Sequence, residues 1–396
     1  MAAHDPTESP PQPPRQFALW NLGFRPFYLF AGIFAALSVP LWAARFAGGL
    51  GEWVYASESA WHAHEMIFGY VFAVIVGFLF TAVRNWTGKP TPSGPALGAI
   101  AALWVCGRIL NFTPWTSLAG AADIAFAAAA AIGIGVPLVA SGNRRNYFFI
   151  VLIALFGAVN LAFYLAKASI IDLQPEYLMR LALDLILFVM SVMGGRVIPM
   201  FTANTVPGAG VTRLRATESL ALGSVLALLG ADLLDAPDAV LGAVAGVAAL
   251  AHAARLALWR PWRTLRHPIL WILHLSYAWI PVHLALRALA AGDFVLPALA
   301  THALTVGAIG GLTLGMMTRT TRGHTGRPLR AGGMEIACYA LVQLAAVVRV
   351  LVPLALPSLY FSATGLSALL WFLAFALFTA AYWPILTQAR ADGAPG

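Results

Sequence analysis

Long apolar runs, each closed by a short polar or basic stretch, set the rhythm of this chain. A helix needs about 20 apolar residues to cross the hydrocarbon of a bilayer, and about twelve runs reach or approach that length. They cover 26–43, 62–83, 95–111, 118–139, 147–166, 177–200, 217–234, 239–259, 268–290, 296–318, 334–354 and 358–386. The seventh and eighth are parted only by a turn around Asp235-Ala236-Pro237-Asp238. The pattern predicts an all-α, polytopic transmembrane helix bundle of about twelve helices. A polar, Pro-rich tail over 1–20 precedes a single membrane domain over 21–390, and a short tail over 391–396 follows.

Composition agrees with the pattern. Of 396 residues 60% are hydrophobic and 10% charged, against about 25% charged in a soluble domain. So apolar a chain cannot cover its surface with polar groups, which excludes a soluble globular enzyme. The formal net charge of +8 then reads as loop bias and not as a nucleic-acid footprint. Arg15, Arg25, Arg84, Lys89, Arg144, Arg145, Arg213, Arg215, Arg260, Arg263, Arg266, Arg319, Arg322, Arg327 and Arg330 fall in alternate loops or at the helix ends beside them. The opposite loops carry mainly acids, among them Glu52, Glu58, Asp172, Asp232, Asp235, Asp238 and Asp293. This asymmetry predicts that both termini are cytoplasmic. Cys106 and Cys338 fall near opposite faces, which argues against a disulfide, and one cysteine pair is no metal motif.

Topology turns sequence position into depth at 1.5 Å per helical residue. His62, His64, His283 and His302 share a layer on the periplasmic side. His274 lies near mid-membrane, His252 in the cytoplasmic half, and His267 and His324 at the cytoplasmic surface. The stretch Trp61-His62-Ala63-His64-Glu65-Met66 is the densest. Ionisable groups at such a position are candidates for function. Imidazole suits haem iron, copper and zinc; hydrogen bonding between helices is the alternative use of the same side chains. Residues two apart on a regular helix point in nearly opposite directions, so His62 and His64 either serve different sites or enter the helix in extended form. Glu65 has three readings: orienting a ligating histidine, carrying protons, or pairing with an arginine.

Other polar residues have simpler expectations. Arg180 and Asp184, four apart, predict an ion pair on one helix face. Arg108 and Asp123 predict a pair between neighbouring helices. The glycines from Gly307 to Gly315 suit close helix packing or a flat cofactor. Met193-Gly194-Gly195-Arg196-Val197-Ile198-Pro199-Met200 predicts a helix break. The basic stretch Thr318-Arg319 to His324-Thr325-Gly326-Arg327-Pro328 reads as a cytoplasmic loop, or as a binder of phosphate, a lipid headgroup or a haem propionate.

Several of these segments together carry a resemblance: Leu19-Trp20-Asn21-Leu22-Gly23-Phe24-Arg25-Pro26-Phe27, Trp61 to Met66, Thr81-Ala82-Val83-Arg84-Asn85-Trp86-Thr87-Gly88, Gly194 to Asn204, His267-Pro268 with Trp271 and His274, Thr301-His302-Ala303-Leu304, and Gly315 to Arg327. In identity and order they resemble the NnrS family of membrane proteins over almost the whole chain. The resemblance implies a multi-pass protein of the bacterial inner membrane that carries haem and copper and is tied to nitric oxide, denitrification and nitrosative stress. It implies His62, His64, His274 and His302 as metal-site histidines. His274, His302, Arg25, Arg319 and His324 are then cofactor-binding candidates, and Glu65 the catalytic candidate. With no CxxCH motif, the haem would be non-covalent and of b type, and electrons would come from a quinol or a redox protein. Three function classes remain open: an oxidoreductase reducing nitric oxide to nitrous oxide, a transporter for a metal or small anion, and a haem sensor or scavenger of nitric oxide.

Overall fold

The structure, a computed structural model, describes residues 17–48 and 59–394. Most of the expected N-terminal tail and the last two residues of the C-terminal one therefore lie outside the described residues, as do Glu52 and Glu58. Twelve helices follow in order: α1 Phe24–Phe46, α2 Ser59–Thr87, α3 Gly94–Leu110, α4 Thr116–Ala140, α5 Phe148–Lys167, α6 Pro175–Thr205, α7 Arg215–Leu233, α8 Asp238–Leu258, α9 Pro268–Ala290, α10 Pro297–His324, α11 Gly333–Ala355 and α12 Tyr360–Thr387. Among the described residues, eleven are long and apolar enough to cross a membrane, and α3 is shorter. The chain is thus a multi-pass membrane protein.

The helices fold as spans because backbone groups in hydrocarbon must find partners within their own segment. Outer faces remain apolar: Ile132, Val136, Leu250 and Leu369 are exposed on the bundle surface, where lipid is their natural contact. α2 is the most enclosed helix, with α9 and α10 next. α12 packs along both α1 and α11, and α8 along α9. The chain ends meet, since the Ala18 amide donates to the Thr387 carbonyl at 2.8 Å.

Two helices depart from α pitch. α2 is wound as a π-helix over Glu65–Val71, and α10 over Ala303–Gly310. In α2 the Phe72 amide reaches back five residues to the Ile67 carbonyl. Such wide turns accommodate one extra residue and concentrate at functional sites. These two are linked. The Tyr70 hydroxyl bonds Thr313 Oγ1 at 2.5 Å, and Thr313 in turn bonds the Ile309 carbonyl at 2.6 Å.

The structure corrects two sequence expectations. α6 runs unbroken through Met193–Met200. Its glycines seat neighbouring side chains: a Cβ at Gly194 would meet the Tyr277 ring at 3.0 Å, and one at Gly195 would collide with the Arg255 guanidinium. The second is the Arg180–Asp184 pair. Arg180, 47% exposed, lies 3.4 Å from Asp232 Oδ1 as an ion pair without a hydrogen bond, and the buried Asp184 turns to Arg287 at 2.6 Å. Arg287 also holds Asp232, so a cross-helix network replaces the pair along α6. The Arg108–Asp123 pair between α3 and α4 is present as expected.

Candidate functional site

Both histidine motifs sit where a helix leaves α pitch. His62 and His64 end the first α-turns of α2 and His302 those of α10, each immediately before a π stretch. Helical spacing then separates His62 from His64, as the two-residue interval requires.

His62 faces α1 and stacks on Trp42, with ring centroids 4.2 Å apart, and its Nδ1 is buried without a hydrogen-bond partner. His302 donates Nδ1–H to the Ala298 carbonyl at 2.7 Å. A carbonyl only accepts, so the proton is on Nδ1 and Nε2 keeps its lone pair. This arrangement presents an imidazole to a metal, the backbone carbonyl fixing tautomer and ring direction. The His62 and His302 rings lie within electrostatic reach of one another, and Arg349 of α11 acts on both. Arg349 is 4% exposed. Its Nη2 donates to the Tyr360 hydroxyl at 3.0 Å, and Nη1 is buried and unpartnered. Nothing in the sequence singled out Arg349, because its neighbours along α11 are uniformly apolar and its partners come from other helices.

His64 turns the opposite way, into a buried polar network among α2, α3, α4 and α5. Its Nδ1 contacts Glu65 Oε1 at 2.9 Å and its Nε2 contacts Asn160 Oδ1 at 2.8 Å. Both ring nitrogens face oxygen, so neither presents a lone pair to a metal in this arrangement. Glu65 Oε2 accepts from Arg108 at 3.1 Å. Arg108 also holds Asp123, which accepts the Tyr164 hydroxyl at 2.8 Å. Glu65 thus both pairs with an arginine and touches a histidine, but that histidine is His64 and not the outward-facing His62.

Among the deeper histidines, hydrogen-bond geometry separates two kinds. His252 is fully engaged, with Tyr277 at 2.7 Å and the Ala221 carbonyl at 3.1 Å. His274 Nε2 meets Thr202 Oγ1 at 2.8 Å, while that hydroxyl donates to the Ile198 carbonyl at 2.9 Å. His274 Nδ1 is therefore the lone-pair nitrogen, and it is buried and unpartnered. His283, which no motif highlighted, donates Nδ1–H to the Ala300 carbonyl at 2.8 Å and leaves Nε2 buried and unpartnered. The ligand-competent imidazoles are accordingly His62, His274, His283 and His302. His274 comes from the opposite half of the membrane span and is not brought to the His62–His302 pair. No group of three or more His, Cys, Asp or Glu side chains with metal-ligating geometry occurs among the described residues.

The remaining candidates lie at the other end. Arg25 donates Nη1–H to the carbonyls of Leu386 at 3.1 Å and Gln388 at 2.8 Å, closing the C-terminus of α12. His324 packs on Phe24, with centroids 5.7 Å apart. Arg319 lies 3.9 Å over the Phe201 ring, next in sequence to the Thr202 that holds His274, and its Nη1 is unpartnered. The small residues of α10 seat side chains: a Cβ at Gly307 would collide with Trp279, and one at Gly311 with Ser276 and Gln343. Close packing accounts for these glycines.

A buried imidazole nitrogen with its lone pair free and its other nitrogen fixed suits iron, copper or zinc. His302 and His274 fit a metal ion or a haem iron in this respect, and His62 offers an unbonded Nδ1 without a bond that fixes its other nitrogen. Compared with known proteins, the chain matches the NnrS family, described as NnrS protein, over residues 18–390. A search of curated proteins finds no match.

Proposed function

Since the chain belongs to the NnrS family, we propose that it is a haem- and copper-containing protein of nitric oxide metabolism in the bacterial inner membrane. It binds nitric oxide and reduces it to nitrous oxide at a buried metal site. The observation that supports this reading most directly is the His62–His302 pair. Two imidazoles from different helices lie within electrostatic reach of one another, His62 with Nδ1 unbonded and His302 with Nε2 left free by the Nδ1 bond, and each belongs to the α-turns that lead into a π stretch. In this reading His302 Nε2 would hold the metal with His62 while His274 would hold the haem, or His302 would hold the haem itself. Such a centre would supply electron transfer and coordination of a diatomic gas.

The chain's own residues prepare the place. The Ala298 carbonyl aims His302, and Trp42 lies flat on His62 and keeps water from its face. Nitric oxide is small and weakly polar, so a site enclosed by helices is reached through lipid. Joining two molecules of nitric oxide to nitrous oxide and water consumes two electrons and two protons. A quinol or redox protein supplies the electrons. Glu65, bonded to His64 and Arg108, is the nearest carboxylate in sequence to His62 for a proton path. Positive-inside asymmetry supports cytoplasmic termini and a periplasmic position for the His62–His302 end.

The test is metal analysis with visible spectra of the purified protein, oxidised and reduced. A Soret band with stoichiometric copper is expected, and a colourless, metal-free preparation refutes the reading. Anaerobic nitric oxide with a competent reductant then distinguishes turnover, read as nitrous oxide, from binding alone. Bound gas without nitrous oxide leaves a sensor or scavenger, and the reductase assignment fails.

A further inference from the structure

The buried and half-buried arginines of this bundle divide by partner. Arg108, Arg255, Arg287 and Arg322 each hold a carboxylate within 4 Å. Arg25 is capped onto backbone carbonyls. Two of the fully buried ones have neither kind of partner among the described residues: Arg319, whose guanidinium lies over the Phe201 ring, and Arg349. Arg349 is 4% exposed, touches one hydroxyl and the face of Tyr360, and leaves Nη1 buried and unbonded. His62 and His302 lie within its electrostatic reach, and neither is an anion. At the same end of the bundle, three residues after the Trp42 that stacks on His62, Arg45 Nη1 is also buried and unbonded.

An unpaired guanidinium out of water costs several kcal/mol, and protein interiors seldom leave that cost uncompensated. The geometry points to an anion-binding site here: one negatively charged oxygen group held by the unused N–H groups of Arg349, with Arg45 adding positive charge, beside His62 and His302. The guanidinium fork recognises planar oxyanions and carboxylates through paired hydrogen bonds. Two sources bear that chemistry, a free small oxyanion such as nitrite and the carboxylate of a bound porphyrin. Neutral nitric oxide would gain little from Arg349. The site therefore adds a charged ligand to the function proposed above and rests on that reading only for its porphyrin arm.

The probe is sodium nitrite, titrated into the purified full-length protein in detergent, with intrinsic tryptophan fluorescence and thermal midpoint as readouts; Trp42 on His62 reports the site. A free-oxyanion site gives saturable binding in the wild type. Binding then weakens about ten- to a hundredfold in Arg349→Gln, the loss of one charge-assisted hydrogen bond, and less in Arg349→Lys, which keeps the charge. A porphyrin-carboxylate site gives no nitrite response. Instead, haem transfer to an apoprotein acceptor is about tenfold faster or more in Arg349→Gln, with Arg349→Lys between it and wild type. Should the wild type prove free of haem and metal, the proposed function fails, and the nitrite titration still decides the anion site. Unchanged nitrite affinity and unchanged haem retention in both variants overturn the proposal. So does nitrite binding that appears only after Glu52→Gln and Glu58→Gln, since Arg349 would then have a partner within the chain.

Discussion

Arg108 offers a sharp test of how this bundle tolerates charge. It is buried between Glu65 and Asp123, which are buried as well. Replacing it with methionine keeps much of the volume and removes the only guanidinium of the network. Breaking one buried pair by deleting a partner costs about 3–5 kcal/mol, so two carboxylates abandoned independently would lose about 6–10 kcal/mol by the same rule. Each keeps one strong contact, however. Glu65 retains His64 at 2.9 Å, and Asp123 retains the Tyr164 hydroxyl at 2.8 Å. A hydrogen bond to a charged group is worth about 1.5–3 kcal/mol, so the two together offset about 3–6 kcal/mol, and pairing like ends of the ranges leaves an expected loss for Arg108→Met of about 3–4 kcal/mol. Adding Glu65→Gln and Asp123→Asn removes the stranded charges, and the triple variant should recover to within about 2 kcal/mol of wild type. Equilibrium unfolding in mixed micelles, followed by tryptophan fluorescence, measures all three proteins. A loss below about 1 kcal/mol for the single variant, or a triple variant no more stable than the single one, refutes the account.

Other outcomes follow from the same geometry. His62→Ala and His302→Ala should each lower bound metal at least severalfold in metal analysis of folded protein. His64→Ala, whose ring nitrogens are both engaged, should keep its metal and lose stability instead; equal metal loss in all three would contradict the lone-pair assignment. Deleting Ile67 from the π turn returns α2 to α pitch and rotates His62 by about 100° relative to the rest of the helix. Metal content should then fall while circular dichroism shows the helices intact, and full occupancy would show that the wide turn does not set the site. Ala at Gly326 meets a backbone φ of +71° and the Asp392 carboxyl, so it should loosen the C-terminal segment by about 1 kcal/mol or more. The bond from Arg390 draws the Asp392 carboxyl down to about 2. A depressed folded value stabilises above the unfolded value of about 3.9 and loses that effect as pH falls through the folded one. Protection of the Ala391 amide, bonded to the Thr325 carbonyl, should hold from neutral pH to about 4 and decline between about 4 and 2; loss already at pH about 6 would point to a different group.

Hydropathy alone carried the architecture. Twelve apolar runs became twelve helices because a span in hydrocarbon has no other way to satisfy its backbone. The 3.6-residue period separates His62 from His64 only if the chain is helical there, and the helical turn Ser59–His64 settles that choice against an extended entry. Tertiary structure decided the rest. The π turns are invisible in the sequence, since one inserted apolar residue leaves an apolar run apolar. Arg180 and Asp184 share spacing suited to a pair, yet Asp184 pairs with Arg287, which α9 brings to it deeper in the bundle. The Gly194–Pro199 stretch reads as a break but stays helical, its glycines seating Tyr277 and Arg255. Which imidazole nitrogen is free depends on a carbonyl or hydroxyl one turn or one helix away, as with Ala298 for His302 and Thr202 for His274. Arg349 is one cation in an apolar helix until α2 and α10 bring His62 and His302 beside it. The sequence determined which polar groups enter the membrane; packing determined which of them meet, because burial makes each partner's position count and residue spacing says nothing about neighbours on other helices.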